Sequence, residues 1–258
     1  MQNFFLKKCF HSICLLGVSL LLYKPAFAQA NQQKSLRILL VTGGCCHNYT
    51  FQSQALKDGV AALAKAEWTV MNEGGTGTQA MISLYNNSDW AKGYDVVIHN
   101  ECFADTKTPE YIQKITKAHY AGVPAVVIHC AMHTYRGTDI NDWREFLGVT
   151  SRRHDHQSHY AVTKVDKAHA ALASMPDDWV SPMDELYIIE KTWPNTRVLA
   201  TSVSEKDGKT YPVIWTNQYG KARIFGTTYG HSDATFRDKV YIKMISSGVL
   251  WAAGRLKN

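Results

Sequence analysis

The sequence predicts an α/β fold, a three-layer sandwich built on a mostly parallel central sheet. In the first half of the chain, apolar runs typical of buried strands alternate with segments of helical spacing. The first run, Leu36 to Val41, is apolar throughout and ends at the glycine turn Thr42-Gly43-Gly44, which is typical of a buried parallel strand. Strands and helices that alternate in this way predict right-handed crossovers between parallel strands.

The other elements follow from the same patterns. In the first half, helices are predicted at residues 51–66 and Pro109–Tyr120, and further strands at Trp68–Met71, Tyr94–His99 and Ala125–Ile128. The second half is less regular, with a short helix at Ile140–Leu147, strands at Tyr160–Val165, Glu185–Ile189 and Arg197–Val203, a hairpin of Tyr211–Thr216 with Ala222–Thr228, and a last helix at Phe236–Ala253.

The N-terminus has the pattern of a secretory signal peptide. Lys7 and Lys8 precede the apolar run Ile13–Leu22, and Ala26-Phe27-Ala28 forms a cleavage site. The run is shorter than the ~20 residues that a membrane-spanning helix needs. We therefore expect residues 1–28 to be a signal peptide, residues 29–35 a polar leader and residues 36–258 one domain. That domain would be secreted or periplasmic, with no membrane insertion after cleavage.

Charge gives no indication of a polyanionic partner. The formal net charge is +6 at pH 7, and Lys7, Lys8 and Lys24 of the predicted signal peptide contribute half of it. No run of Lys and Arg exceeds two residues. We therefore expect a small-molecule ligand and no nucleic acid partner.

Cysteines are few beyond the signal peptide, and they are not spaced like a disulfide framework. They are Cys45, Cys46, Cys102 and Cys130. We expect them to be mostly free thiols.

Polar side chains collect where the predicted strands end, which is where open α/β sheets bind ligands. The main groups are Cys45-Cys46-His47, His99-Asn100-Glu101-Cys102, His129 to His133 and Gly230-His231-Ser232-Asp233. Loops add His154 and the pair Asp184-Glu185. Gly43-Gly44 could cradle a phosphate, although a plain turn explains the two glycines equally well.

Acid–base chemistry is the interpretation that best explains these groups, because imidazole exchanges protons near neutral pH. Glu101, His129, His133 and His154 are the predicted catalytic residues. Glu101 directly follows an apolar strand, where a carboxylate is costly unless it is paired or lies in a cleft. His129 and His133 are four residues apart, which brings both rings together if the chain continues as a helix. The alternative is that one of them is a buried, hydrogen-bonded histidine and the other is exposed.

A metal ion is a further possibility at these strand ends. His47, His133 and His231 come from three different strands and could form a three-histidine zinc site with one open position. Without a metal, the same histidines would form a hydrogen-bonded cluster that orders the pocket.

Several short motifs together resemble the trehalose-utilisation (ThuA-like) family. They are Thr42-Gly43-Gly44 with His47, His129 to Arg136, Trp143 with Phe146-Leu147-Gly148, Asp184 to Tyr187, Pro212 with Trp215, and Tyr219 to Arg223 before Gly230-His231. The resemblance extends from Leu36 to Trp251. It implies a flavodoxin-like, class I glutamine-amidotransferase-like fold and a link to sugar breakdown, including routes through 3-keto-glycosides.

The resemblance leads to three functional hypotheses. The first is an exported carbohydrate-active lyase, hydrolase or isomerase that acts on glycosides or 3-keto-glycosides, with substrate contacts from Arg136, Glu185, Tyr187 and Trp215. The second is a sugar-binding protein without catalytic activity. The third is a hydrolase that uses the amidotransferase-like triad Cys130–His231–Asp233, although Ile128 and Met132 replace the glycines that a strained nucleophile turn favours.

Overall fold

A central sheet of parallel and antiparallel strands organises the computed structural model, which describes Met1 and residues 34–257. Apart from Met1, the predicted signal peptide lies outside the described residues. The strands are β1 (Leu36–Gly44), β2 (Ala66–Asn72), β3 (Val96–Cys102), β4 (Ala125–Ile128), β5 (Val149–Ser158), β6 (Thr163–Lys164), β7 (Asp184–Thr192), β8 (Thr196–Val203), β9 (Thr210–Tyr219) and β10 (Ala222–Thr227). The α-helices are α1 (Tyr49–Ala61), α2 (Pro109–Tyr120), α3 (Asp142–Leu147), α4 (Asp233–Arg237) and α5 (Lys239–Ala252).

The central sheet has eight strands in the order β2-β1-β3-β4-β10-β9-β8-β6. The first five strands are parallel to one another. The last three, β9, β8 and β6, complete the sheet through antiparallel pairs, the first of them between β10 and β9. The helices pack against the sheet in two groups: α1 contacts α4 and α5, and α2 contacts α3. The predicted α/β class with a mostly parallel central sheet is confirmed.

Burial explains why the first strands read as continuous apolar runs. Every residue of β3 and β4 is buried, as is nearly all of β1. Strands covered on both faces have no solvent side and therefore do not alternate in polarity. For this reason the apolar runs predicted the position of these strands well.

A crevice forms where the chain reverses its direction across the sheet. From β1 the chain crosses to β2 on one side and then returns to β3 on the other, which is the switch point at which such sheets bind ligands. Gly43 and Gly44 have φ of +130° and +95°. A Cβ on Gly44 would lie 2.3 Å from the carbonyl oxygen of Cys102. Gly44 is therefore needed for the close approach of β1 and β3, and a Cβ on Gly43 would lie 2.4 Å from the carbonyl oxygen of Glu73, which follows β2.

A second, two-stranded sheet forms from β5 and β7, which pair antiparallel. The sequence predicts β7 but not β5, because several polar side chains of β5 are exposed and its apolar signal is weak. The pairing places His154 opposite Tyr187 and Gln157 opposite Glu185. It thereby carries one wall of the candidate site.

The sequence predicts one continuous C-terminal helix, but the structure has two. The segment is divided into α4 and α5 at Asp238, whose carboxylate accepts a hydrogen bond of 2.7 Å from the backbone N–H of Tyr241. An aspartate in this N-cap position begins a new helix. None of the helices in residues 34–257 is long and apolar enough to cross a membrane.

Candidate functional site

A cleft of about 260 Å³ opens at the carboxyl ends of β1, β3, β4 and β10. Six of the titratable side chains singled out from the sequence line it: His47, His133, Arg136, His154, Glu185 and His231. A larger and mostly apolar cleft of about 650 Å³ lies between α1, α4 and α5. It contains none of these six side chains, so the smaller cleft is the candidate site.

Three histidines from different strand ends converge at the base of this cleft. His47 follows β1, His129 follows β4 and His231 follows β10, and each offers a ring nitrogen within 4.8 Å of the other two. His129 has a φ of +46°, a left-handed conformation that costs a non-glycine residue about 1–3 kcal/mol. The fold therefore maintains a strained backbone where it presents this imidazole.

Hydrogen bonds set the tautomers of two of these rings. His47 Nδ1 donates to the carbonyl of His231 at 3.1 Å, and His129 Nδ1 donates to the carbonyl of Thr228 at 2.7 Å. Both Nε2 atoms therefore keep a lone pair. That of His129 accepts a hydrogen bond from the Tyr187 hydroxyl at 3.2 Å. Backbone carbonyls orient metal-binding histidines in the same way.

Burial keeps these two imidazoles neutral. It lowers the pKa of His47 to about 4, although the hydrogen bond to the backbone carbonyl of His231 opposes this shift. Burial also lowers the pKa of His129 well below its ordinary value, and the neighbouring His47 adds to the effect. Neutral imidazole is the form that binds metals.

Glu185 lies at the centre of the titratable groups. Its Oε2 is 3.4 Å from His231 Nδ1, 3.6 Å from His154 Nδ1 and 3.7 Å from His129 Nε2. The preceding residue, Asp184, is buried and accepts hydrogen bonds from the backbone N–H groups of Gly230 and His231. Asp184 thus ties the start of β7 to the loop that carries His231.

His133, predicted as a metal ligand, does not lie among the three converging ring nitrogens. Its Nε2 lies 3.1 Å from the Ser151 hydroxyl, and its ring stacks on Tyr187 with 3.9 Å between centroids. His129 takes its place among the converging nitrogens. After β4 the chain forms a 3₁₀ turn at His129–Met132, so the two rings do not share a face as in an α-helix.

His133 should make stability sensitive to acid. Burial lowers its pKa to about 3, and the positive charge of Arg136 contributes. Between pH 6.5 and 3 the unfolded chain binds a proton that the folded chain excludes, so stability is lost as the pH falls. We expect a loss of about 1.4 kcal/mol per pH unit from this residue, measured by urea unfolding. His133→Gln should reduce that slope, whereas the exposed His156→Gln should not. An unchanged slope in His133→Gln would contradict the assignment.

Glu101, predicted as a catalytic residue, does not line the cleft. Glu101 is completely buried, and its carboxylate bonds His99 Nδ1 at 2.8 Å. His99 Nε2 in turn lies 3.0 Å from His119 Nε2 on α2. Side chains two residues apart on a strand point to the same face. Glu101 therefore accompanies His99 toward α2, and Cys102 faces the cleft instead.

Tyr187 and Trp215 are the two aromatic residues predicted to contact the substrate. Neither of them has an open ring face on which a sugar could stack. Tyr187 lines the cleft, but it is buried and His133 covers its ring. Trp215 is completely buried, and its Nε1 donates to the carbonyl of Leu147 at 2.8 Å. Trp215 thus belongs to the core and does not reach the cleft.

Trp215→Ala should therefore affect stability more than ligand binding. Replacing a buried tryptophan by alanine removes its contacts and leaves a cavity, at a cost of about 3–5 kcal/mol. We expect this loss in the free energy of unfolding, measured with urea. The half-buried Trp193→Ala is the matched control and should cost clearly less. A Trp215→Ala protein of wild-type stability would contradict this account.

The other predicted side chains take distinct positions. His154 lines the cleft, whereas His156 turns away and bonds the carboxylates of Asp155 and Glu205. Arg136 lines the cleft, and its Nη1 donates to a backbone carbonyl on β5 at 3.1 Å. Gln157, which the sequence did not indicate, has its amide nitrogen 2.8 Å from His231 Nε2.

The cysteines are paired, contrary to the expectation of mostly free thiols. Cys45 is bonded to Cys46, and Cys102 to Cys130. Adjacent strand ends bring all four sulfur atoms to one wall of the cleft. The proposed nucleophile Cys130 is therefore blocked. Asp233 accepts a hydrogen bond from Asn48, so the predicted Cys130–His231–Asp233 triad is not formed.

The histidine donor set fits a divalent metal ion such as zinc. His47 and His129 are neutral, and each holds an Nε2 lone pair in place. His231 Nδ1 is buried and has no hydrogen-bond partner among Met1 and residues 34–257. Three imidazoles with one further position are the ligand set of a catalytic zinc, and Glu185 lies beside them.

Comparisons with known proteins give one consistent result. The profile of a family described as ThuA, trehalose utilisation, matches residues 37–252. A ThuA-like protein from Parabacteroides merdae has a TM-score of 0.65 at 21% identity, over 87% of this chain and 92% of that one. A ThuA-like protein from Bacteroides uniformis has a TM-score of 0.65 at 16% identity, over 87% and 94%.

A more distant similarity links part of a larger enzyme to the same fold. The β-galactosidase of Bacillus circulans sp. alkalophilus has a TM-score of 0.53 at 13% identity, over 83% of this chain but only 31% of that one. No curated protein sequence matches this chain.

Proposed function

This chain belongs to the ThuA family, described as trehalose utilisation, and from that membership we propose that it is a carbohydrate-active enzyme. Its substrate would be a glycoside or the 3-keto form of one, which it would process as a lyase, hydrolase or isomerase. Glu185 and the surrounding histidines would move the protons.

One observation carries this proposal. The carboxylate of Glu185 approaches three imidazoles within 3.7 Å at the edge of an open cleft. A binding protein for neutral sugars needs hydrogen bonders and aromatic faces more than clustered titratable groups. Proton transfer by a positioned carboxylate or imidazole contributes about 10²–10⁴-fold to a rate. The cluster of titratable side chains therefore favours an enzyme over a binding protein.

The dimensions of the cleft favour a small substrate. At about 260 Å³, it lies just below the usual range of ~300–1,000 Å³ for ligand pockets. We infer that one sugar unit enters, with the remainder of a disaccharide outside. Arg136 and His154 at the wall would bind its hydroxyl groups.

A divalent metal is the cofactor that the donor set suits best, with His47, His129 and His231 as its ligands. Such an ion would supply an electrophile for a developing oxyanion. Glu185 would then remove a proton beside the carbonyl of a keto-sugar, and His154 would return one. The backbone carbonyl of Thr228 would orient the ring of His129 through Nδ1, and the metal would replace the Tyr187 hydroxyl at Nε2.

The cellular setting remains a proposal drawn from the sequence. The signal-peptide pattern of residues 1–28 supports export to the periplasm or beyond. A secreted enzyme would meet its small carbohydrate outside the cytoplasm.

Product analysis tests the proposed function. Zinc-loaded protein is incubated with trehalose, simple glycosides and their 3-keto derivatives, and the products are separated by mass. We expect turnover of at least one sugar, which Glu185→Gln should abolish. Sugar binding without any turnover would replace the proposal with the binding-protein hypothesis. Absence of both would refute the proposed substrate class.

A further inference from the structure

Four cysteines gather beside the histidines without a role in the proposed reaction. Cys45 and Cys46 follow β1, Cys102 ends β3 and Cys130 follows β4. These three strands are neighbours in the sheet, so their carboxyl ends meet at the switch point. Gly44 on β1 stands directly opposite Cys102 on β3.

The two disulfides are in contact with each other. Cys45 Sγ lies 3.6 Å from Cys102 Sγ. Two thiolates bound to a tetrahedral zinc at 2.3 Å are about 3.8 Å apart, so this separation matches an edge of such a site. The sulfur atoms of Cys45, Cys46 and Cys102 all lie within 4.8 Å of one another.

Cys102 also belongs to a second group of possible metal ligands. Its sulfur, that of Cys130 and a ring nitrogen of His47 also lie within 4.8 Å of one another. Cys102 therefore belongs to both groups. The donors of the two groups, four sulfur atoms and one imidazole nitrogen, are of the type that zinc and copper(I) prefer.

Chain stabilisation does not explain the pairing. Cys45 and Cys46 are adjacent, and a disulfide stabilises less as the loop that it closes becomes shorter. Cys102 and Cys130 join strand ends that backbone pairing of β3 with β4 already holds together. The cluster therefore has the geometry of a chemical site more than that of a structural crosslink.

We propose that the four cysteines, when reduced, bind one soft metal ion through Cys102 and its neighbouring sulfur atoms, with His47 as an accessory ligand. Each disulfide accepts two electrons and two protons from one molecule of a small dithiol, which is oxidised to its own disulfide. The exposed Cys46 gives the dithiol access to the first bond. Metal binding then displaces the thiol protons to solvent.

This second site is distinct from the three-histidine site of the proposed function, although both approach His47. Its ligands are mainly thiolates, and it exists only after reduction. The oxidised form of the small dithiol reverses the exchange: it accepts two electrons for each protein disulfide that re-forms and takes two protons from solvent, and the metal is released. The cluster would thus bind its metal only in a reducing environment.

Cobalt(II) titration tests the proposal, because thiolate ligands produce a charge-transfer absorption in the near ultraviolet that imidazoles do not. The full chain is reduced with a dithiol, freed of it under argon and titrated. We expect four titratable thiols and one equivalent of cobalt with this absorption. The oxidised protein should not show it. Failure of the dithiol to release thiols, or absence of the absorption after reduction, would overturn the proposal.

Variants separate the two metal sites. Cys102→Ser should remove the absorption, whereas His129→Ala should retain it because His129 belongs to the histidine site alone. If Cys102→Ser does not fold, alkylation of the reduced wild-type protein replaces it. Zinc should then protect Cys102 and Cys130 from iodoacetamide, as mapped by mass spectrometry. Equal alkylation with and without zinc would contradict the thiolate site.

Discussion

Glu185→Gln should lower the turnover number by about 10²–10⁴-fold, the range that general acid–base groups contribute. The substitution keeps the size of the side chain and removes the negative charge that faces three imidazoles at 3.4–3.7 Å. The effect should appear in kcat more than in KM. Steady-state kinetics on the substrate found by product analysis provides the measurement.

Glu190→Gln is the matched control for this prediction. Glu190 lies on the same strand and pairs with the exposed Arg152 outside the cleft, so its loss should leave kcat within about twofold, as for other surface ion pairs. Both variants should melt within a few degrees of the parent protein. Comparable activity of Glu185→Gln and Glu190→Gln would remove Glu185 from the mechanism.

His129→Ala should weaken zinc binding to the oxidised protein by at least about 100-fold, since loss of an outer-shell partner alone costs about 10–100-fold. His129 provides the most deeply buried of the three converging nitrogens, and its Nδ1 is already committed to a backbone carbonyl. Calorimetric titration with zinc measures the change. Oxidised protein is used because its cysteines are then unavailable as ligands.

The control for the zinc prediction is His156→Ala. His156 is an exposed histidine that bonds Asp155 and Glu205 away from the cleft. Its loss should not change the affinity for zinc. Equal affinities of the His129→Ala and His156→Ala proteins would show that zinc binds elsewhere.

The sequence predicted most of the sheet because buried parallel strands leave an unbroken apolar signal. Helix α2 and strand β4 lie at the predicted residues. Strand β5 was missed because its pattern is mostly polar. The break at Asp238 was missed because Phe236 and Val240 keep a helical spacing of four residues across it.

The site could be predicted in outline but not in its roles. Strand ends indicated His47 and His231, and both line the cleft because the sheet topology brings these ends to one edge. Glu185 was indicated as a loop residue, and it lies at the start of β7. The sequence did not indicate that Glu101 shares a face of β3 with His99, which bonds both Glu101 and His119 on α2.

The disulfides could not be predicted from the sequence for a different reason. Cys102 and Cys130 are 28 residues apart in the chain, and only the neighbouring positions of β3 and β4 in the sheet bring them together. Spacing alone contains no record of those positions. The burial of Trp215 also depends on how α3 packs beside β9, which composition cannot show.

The central claim is that three imidazoles from separate strand ends form one metal site beside Glu185. Crystals of the oxidised protein soaked in zinc, with diffraction recorded on both sides of the zinc absorption edge, locate the ion directly. We expect one strong anomalous peak within bonding distance, about 2.0–2.1 Å, of nitrogens from His47, His129 and His231. A peak elsewhere, with these three rings unliganded, would contradict the account.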